Sequence, residues 1–171
     1  MLALGFTTVN AQENAIKANP LALLGGADLV SYERAISDNS SLVLGAGIGG
    51  FKVSGTKYSS FGVSGQYRYY FKEALNGLYA GAIVQYLSGD VEYEDIFGFG
   101  AEIDDVGYSS FGGGVKFGHQ WAWDSGFLLD LNVGASYSSF SYDDSDDDAF
   151  VTGLKSSGVL PTFGLALGYA W

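Results

Sequence analysis

Bulky apolar residues and small residues alternate along this chain, most sharply toward its end. From Val159 to Trp171 one set of alternate positions is Val159, Pro161, Phe163, Leu165, Leu167, Tyr169 and Trp171. The other set is Leu160, Thr162, Gly164, Ala166, Gly168 and Ala170. Successive side chains of a strand point to opposite faces, so this stretch predicts a strand with one large apolar face and one small face. A soluble, half-buried strand would carry Lys, Glu or Thr on its second face. The pattern instead fits a strand whose large residues meet lipid and whose small residues meet a crowded lumen.

The same alternation recurs upstream. In Ser41 to Val53, Leu42, Leu44, Ala46 and Ile48 oppose Val43, Gly45, Gly47 and Gly49. In Tyr58 to Phe71, Phe61, Val63, Tyr67, Tyr69 and Phe71 oppose Gly62, Ser64, Gln66 and Arg68. Gly107 to Trp123 and the stretch from Phe127 repeat it. A first strand is expected near Ala15 to Leu24, with Pro20 at an edge or bulge, and a second from Ala27 to Ile36. Leu78 to Tyr93 has apolar residues on both faces, and periodicity does not assign them. Short turns fall at Gly25-Gly26, Ser37 to Ser40, around Gly55, at Glu73 to Gly77 and at Asp124-Ser125-Gly126. A three-residue loop at Asp124 pairs Trp123 with Phe127, Trp121 with Leu129 and Gln120 with Asp130, and Gly126 suits its left-handed position.

About eight strands result, the smallest common barrel size. The expected fold is all-β: an eight-stranded antiparallel up-and-down transmembrane β-barrel. An even count puts both termini at one end, with the short turns near Ser37, Glu73 and Asp124. The long acidic loops, Glu94 to Val106 and Asp143 to Ser156, fall at the other end. Trp121, Trp123, Tyr169 and Trp171, with Tyr67, Tyr69 and Phe71, are expected as an aromatic girdle near the termini. Tyr58, Tyr86, Tyr93, Tyr108, Tyr137 and Tyr142 are expected near the opposite boundary. A soluble barrel of the lipocalin kind is the runner-up, but its strands would need more exterior Lys and Glu than this chain has.

Composition narrows the classes. Hydrophobic residues make up 47% but charged residues only 16%, below the roughly 25% of a globular domain. No apolar run reaches the ~18 residues a membrane helix needs, so the high apolar content resides in alternation. The 26 glycines against 2 prolines fit small lumenal faces. The chain has no cysteine, which removes disulfides and thiolate chemistry. A net charge of -11 argues against a nucleic-acid partner. Met1 to Val9 is apolar, and Val9-Asn10-Ala11 before Gln12 has the small-x-small form of a signal-peptidase site. Residues 1–11 are thus expected to be a signal-peptide remnant, the end of a longer leader, and residues 12–171 the barrel.

The C-terminal Leu165-x-Leu167-x-Tyr169-x-Trp171 resembles the last strand of bacterial outer-membrane β-barrels, which close on an aromatic residue. The whole resembles small barrels of the OmpA/OmpX type. Ala15 to Ala35, with Asn19-Pro20-Leu21 and Tyr32-Glu33-Arg34, is similar to the start of uncharacterised small barrels of Gram-negative bacteria. The resemblance implies location in the cell outer membrane, a periplasmic C-terminus and long loops outside. It also implies lipid and lipopolysaccharide as partners, and recognition by the barrel-assembly machinery during insertion. A monomer without cofactors is expected.

Four charged residues fall on small-residue faces: Glu33, Arg68, Lys116 and Asp130. Unpaired in a low-dielectric lumen they would be costly. They are expected to form an ion-pair network with Gln66, Gln120 and Asn132, because lumens of about eight strands are filled by side chains. A narrow conducting pore is the alternative. His119, the only histidine, has outward parity near the Asp124 turn, and no nucleophile is indicated beside it. It is read as interfacial, and no catalytic residue is assigned. Asp144, Asp146 and Asp148 are weak candidates for a divalent cation. An EF-hand counted from Asp144 would need Gly and Glu where Ala149 and Lys155 stand, so a solvated acidic loop is the favoured reading. The functions in order are a structural or surface-interaction protein acting through acidic loops, a narrow pore, and a lipid-modifying enzyme.

Overall fold

The computed structural model describes residues 12–24, 28–53, 56–93, 106–142 and 157–171. Alternation becomes eight strands: β1 (Asn14–Ala18), β2 (Val30–Ser37), β3 (Ser40–Val53), β4 (Thr56–Tyr70), β5 (Gly77–Tyr93), β6 (Val106–Ala122), β7 (Phe127–Tyr142) and β8 (Gly158–Ala170). They form a closed barrel in sequence order. Every pairing is antiparallel, including β8 back onto β1. The barrel is therefore up-and-down, and closure leaves no edge along most of its wall.

The hairpin between β6 and β7 has the register read from the sequence. Gln120 faces Asp130 and Trp121 faces Leu129. Trp123 N donates to Phe127 O at 3.0 Å, and Gly126 has φ 86°. A side chain at that φ is strained, which explains glycine there.

Three boundaries differ from expectation. The first strand stops at Ala18 rather than Leu24, and Pro20 opens a 3₁₀ helix, η1 (Pro20–Leu24). Proline has no amide to give a ladder, but its fixed φ suits a helical turn. The second strand begins at Val30, not Ala27. β3 and β4 meet more tightly than expected, with Val53 paired to Thr56.

The two faces of the wall are inverted relative to a soluble barrel. Leu44, Ile48, Phe61, Phe111, Val133 and Phe163 point out and are exposed, Phe163 to 68%. Leu129 and Leu165 share that outward parity. Inward positions hold Glu33 at 0% and Asp130 at 1% exposure. The two faces of β5 are now assigned: Leu78, Val84 and Tyr86 face out, while Tyr79 and Ile83 are buried inside. Alternation there is masked because the lumen also takes apolar and aromatic groups.

At the end carrying the termini, Trp121, Trp123, Tyr169 and Trp171 are exposed. Trp123 packs on Phe127 with ring centroids 5.2 Å apart, and Tyr169 stacks on Trp171 at 6.4 Å. Tyr67, Tyr69 and Phe71 are exposed at the same end. Toward the other end, Tyr86 and Tyr137 point outward. Tyr108 does not. It shares the inward parity of Ser110, and a Cβ on Gly89 would lie 2.8 Å from its ring. The side chains of Tyr58, Tyr93 and Tyr142 lie outside the described residues, as do residues 1–11 and both long acidic loops.

Candidate functional site

The lumen is built by inward positions of all the strands. At the terminal end Ala15, Leu128 and Ala170 form a buried apolar plate. Leu75, on the turn after β4, is also buried and has a left-handed conformation with φ 66°. That turn is held by Ala74 N donating to Asp38 O at 2.7 Å. On the outer side of this plate is a vestibule of about 800 Å³, lined among others by Glu13, Asp38, Glu73, Asn76, Trp123 and Asp124.

On the lumenal side of the plate lie the charges. Lys17 Nζ donates to Glu33 Oε2 at 2.5 Å and to Asp130 Oδ2 at 3.1 Å. Arg68 Nη1 donates to Asp130 Oδ2 at 2.6 Å and to Glu33 Oε2 at 3.4 Å. Each cation thus meets both carboxylates, and the four charges sum to zero. Gln120 Oε1 accepts from Lys17 and from Arg68 Nη1, both at 3.2 Å, while its Nε2 donates to Leu75 O at 2.9 Å. The remaining carboxylate oxygens are taken by hydroxyls. Tyr70 donates to Glu33 Oε1 at 2.7 Å, Ser41 donates to the same oxygen, and Tyr79 donates to Asp130 Oδ1 at 2.8 Å. The Arg68 guanidinium also lies 4.3 Å from the centroid of the Tyr79 ring. Buried ions are tolerated only when their Coulomb partners and lone pairs are this fully met.

Small residues make this crowding possible. A Cβ at Gly118 would come within 2.6 Å of the Tyr79 hydroxyl oxygen, and one at Gly168 within 2.8 Å of Lys17 Cγ. Glycine on one strand is the space its neighbour's long side chain occupies.

A second layer lies toward the loop end. Lys116 Nζ is 3.3 Å from Asp28 Oδ2, which also accepts from Gln66 Nε2 at 3.0 Å. Ser64 donates to the other Asp28 oxygen. Gln66 joins the layers, because its Oε1 accepts from Arg68 Nε at 3.3 Å. Asn132 Nδ2 donates to Asp130 Oδ1 at 3.4 Å.

Of the four charged residues singled out by parity, Glu33, Arg68 and Asp130 meet in one cluster and Lys116 sits in the layer beside it. Sequence reasoning missed Lys17, Asp28, Tyr70 and Tyr79. Lys17 was findable, since it shares parity with Ala15 and opposes Ile16. Tyr70 was too, two residues from Arg68. Asp28 lies outside any strand, where parity says nothing, and Tyr79 is in the strand whose faces were ambiguous. His119 points outward and half-buried; its ring packs 4.1 Å from that of Trp121, and its strand neighbours are Leu78 and Leu131. Its Nδ1 has no hydrogen-bond partner among the described residues. Asp144, Asp146 and Asp148 lie outside the described residues. Among the described residues no three His, Cys, Asp or Glu are grouped to hold a metal ion.

A family model described as "Protein of unknown function (DUF3575)" matches residues 1–150. No curated protein matches the chain. Among solved structures, the crystal structure of Acinetobacter baumannii CarO2 is similar at 14% identity and a TM-score of 0.44, over 94% of this chain and 98% of that one.

Proposed function

We propose, from the premise that this chain belongs to the DUF3575 family of proteins of unknown function, that it spans the bacterial outer membrane as a plugged barrel. Its role is structural and interactional, exercised through its acidic loops. One observation carries the membrane placement: large apolar residues dominate the outward faces and are exposed, with the outward charges Arg34 and Asp90 near strand ends, while Lys17, Glu33, Arg68, Lys116 and Asp130 are buried inside. In water that surface would be far larger than the apolar patches monomers tolerate. In a bilayer it is the solvated face, and a closed barrel satisfies the backbone as hydrocarbon requires. The aromatic residues clustered at the terminal end support an interfacial boundary there.

The plugged lumen supports a role other than conduction. Lys17, Glu33, Arg68, Gln120 and Asp130 are all buried and mutually bonded across the barrel. A narrow pore is the second reading, favoured by the ionic character of that same lining. Planar-bilayer recordings separate the two: the plugged barrel gives no stepwise conductance. Steps that change on Arg68→Ala would favour the pore. A lipid-modifying activity ranks third, since the strand neighbours of His119 offer no hydroxyl nucleophile. Lipopolysaccharide is the proposed contact of the acidic loops through bridging cations, with the barrel-assembly machinery met during insertion. Replacing Asp143 to Asp148 by Gly and Ser should weaken binding of intact cells to divalent-cation-bridged lipopolysaccharide. Unchanged binding would remove the loops from the proposal.

A further inference from the structure

The barrel wall is incomplete on one side. β1 has 5 residues and β2 has 8, whereas β3 has 14 and β8 has 13. β2 leaves β3 at Ala46, and β1 leaves β8 at Leu167. Beyond those points, among the described residues, β3 keeps only β4 as a strand neighbour and β8 keeps only β7. η1 lies in this seam and touches both β3 and β8.

Backbone direction identifies what the seam exposes. Ala170 N donates to Gly126 O on the β7 side at 2.7 Å, and Trp171 N donates to Asn14 O on the β1 side at 2.9 Å. Backbone groups alternate in direction along a strand. The N–H groups of Val159, Phe163 and Leu165 therefore aim at the side of β8 that has no strand neighbour among the described residues. Pro161 has the same direction but no N–H, the usual way to blunt an edge. On β3, Asn39 O accepts from Tyr70 N on the β4 side at 2.7 Å. By the same alternation Ile48 and Gly50 aim at the seam. Among the described residues no backbone hydrogen bond joins η1 to either edge.

These polar groups lie at an apolar level. Leu21, Leu23, Ile48, Val159 and Phe163 are all exposed around the seam. Unpaired backbone groups in hydrocarbon are strongly unfavourable, and a plain acyl chain cannot satisfy them. A molecule with a hydrogen-bonding end and an apolar tail can satisfy both surfaces. The cover is also tethered rather than woven into the wall: Asn19 N donates to Leu29 O at 2.9 Å, and Asp28 holds Gln66 and Lys116 inside the lumen.

We propose that the seam between β3 and β8 is a lateral binding site for a single-chain amphiphile taken from the surrounding bilayer. The polar end meets the backbone groups of the two edges that have no partner among the described residues, the chain lies along Leu21, Leu23 and Phe163, and η1 is a cover anchored by Asp28. This rests on the membrane placement proposed above. The test is to reconstitute the protein in phosphatidylcholine vesicles with a diazirine-bearing fatty acid, irradiate, and map adducts by mass spectrometry. Adducts are expected at Leu21, Leu23, Ile48 and Phe163, and excess unlabelled fatty acid should reduce them several-fold. Phe111 and Val84, exposed on the wall away from the seam, should label weakly and without competition. Asp28→Ala should raise the competable labelling at Ile48 and Phe163 several-fold. Seam labelling equal to that at Phe111 and Val84, or insensitive to competitor, overturns the site. The competition on the unaltered protein decides this even if the variant does not fold. If Phe111, Val84 and Val133 are unlabelled as well, the membrane placement itself is what has failed.

Discussion

At the scale of single residues, the ion cluster is held by completeness rather than by any one contact. Asp130 bonds Lys17, Arg68 and Tyr79 while only 1% exposed. Removing it leaves Lys17 and Arg68 to share Glu33, with one buried positive charge uncompensated. Asp130→Ala should therefore lower the unfolding free energy by about 3–5 kcal/mol, the cost of breaking a buried pair from one side. Urea titration in lipid vesicles measures it. The exposed Lys72–Glu73 pair, 4.0 Å apart, is the control: Glu73→Ala should leave the titration unchanged, because solvent screens such pairs. If Asp130→Ala behaves like Glu73→Ala, the cluster contributes nothing as a unit. Gly118 tests the packing side of the same cluster. Its missing Cβ would sit 2.7 Å from Leu131 O as well as against Tyr79. Gly118→Ala should cost about 1–3 kcal/mol through overpacking, read in the same titration.

At the scale of elements, the hairpin between β6 and β7 is the one whose sequence states its own geometry. Gly126 N donates to Trp123 O at 2.8 Å, and Gly126 O accepts from Ala170 N at 2.7 Å. The turn therefore sets both the β6–β7 register and the end of β8. Holding a non-glycine residue at φ 86° costs about 1–3 kcal/mol, so Gly126→Ala should destabilise by that amount. Refolding into vesicles should also lose native gel mobility in proportion. An unchanged midpoint would mean the turn relaxes without affecting register. Leu75 shows the opposite case: a non-glycine residue keeps φ 66° with its side chain buried and its carbonyl held by Gln120 Nε2 at 2.9 Å. β1 and η1 show an element ended by covalent geometry. The strand cannot run through Pro20, and the shortened wall on that side follows.

At the scale of the molecule, the decisive property is which face is apolar. Val133 is 51% exposed near the middle of β7, opposite Phe163 on β8. If lipid covers that surface, Val133→Arg should lower stability in vesicles by about 2–4 kcal/mol, as for a cation at mid-bilayer on a barrel wall. The same change should be nearly silent in a detergent whose headgroups reach the site. Equal, negligible effects in both would mean that the apolar belt faces something other than bilayer.

What the sequence alone determined is whatever depends on period two and on turn chemistry. Strand count, hairpin order, the register at Gly126 and the inward parity of Glu33, Arg68, Lys116 and Asp130 all follow from alternation. They could be read because one face carries large apolar residues and the other mostly small ones, so the two seldom resemble each other. The tertiary structure decided what parity cannot express. It showed which charges meet across the lumen, brought Lys17 and the hydroxyls of Tyr70 and Tyr79 to the carboxylates, and let Asp28 enter from outside any strand. It also showed that β1 ends early and leaves a seam. Those outcomes depend on the closure of β8 onto β1 and on distances across the barrel, which join residues far apart in the chain and leave no local periodic trace.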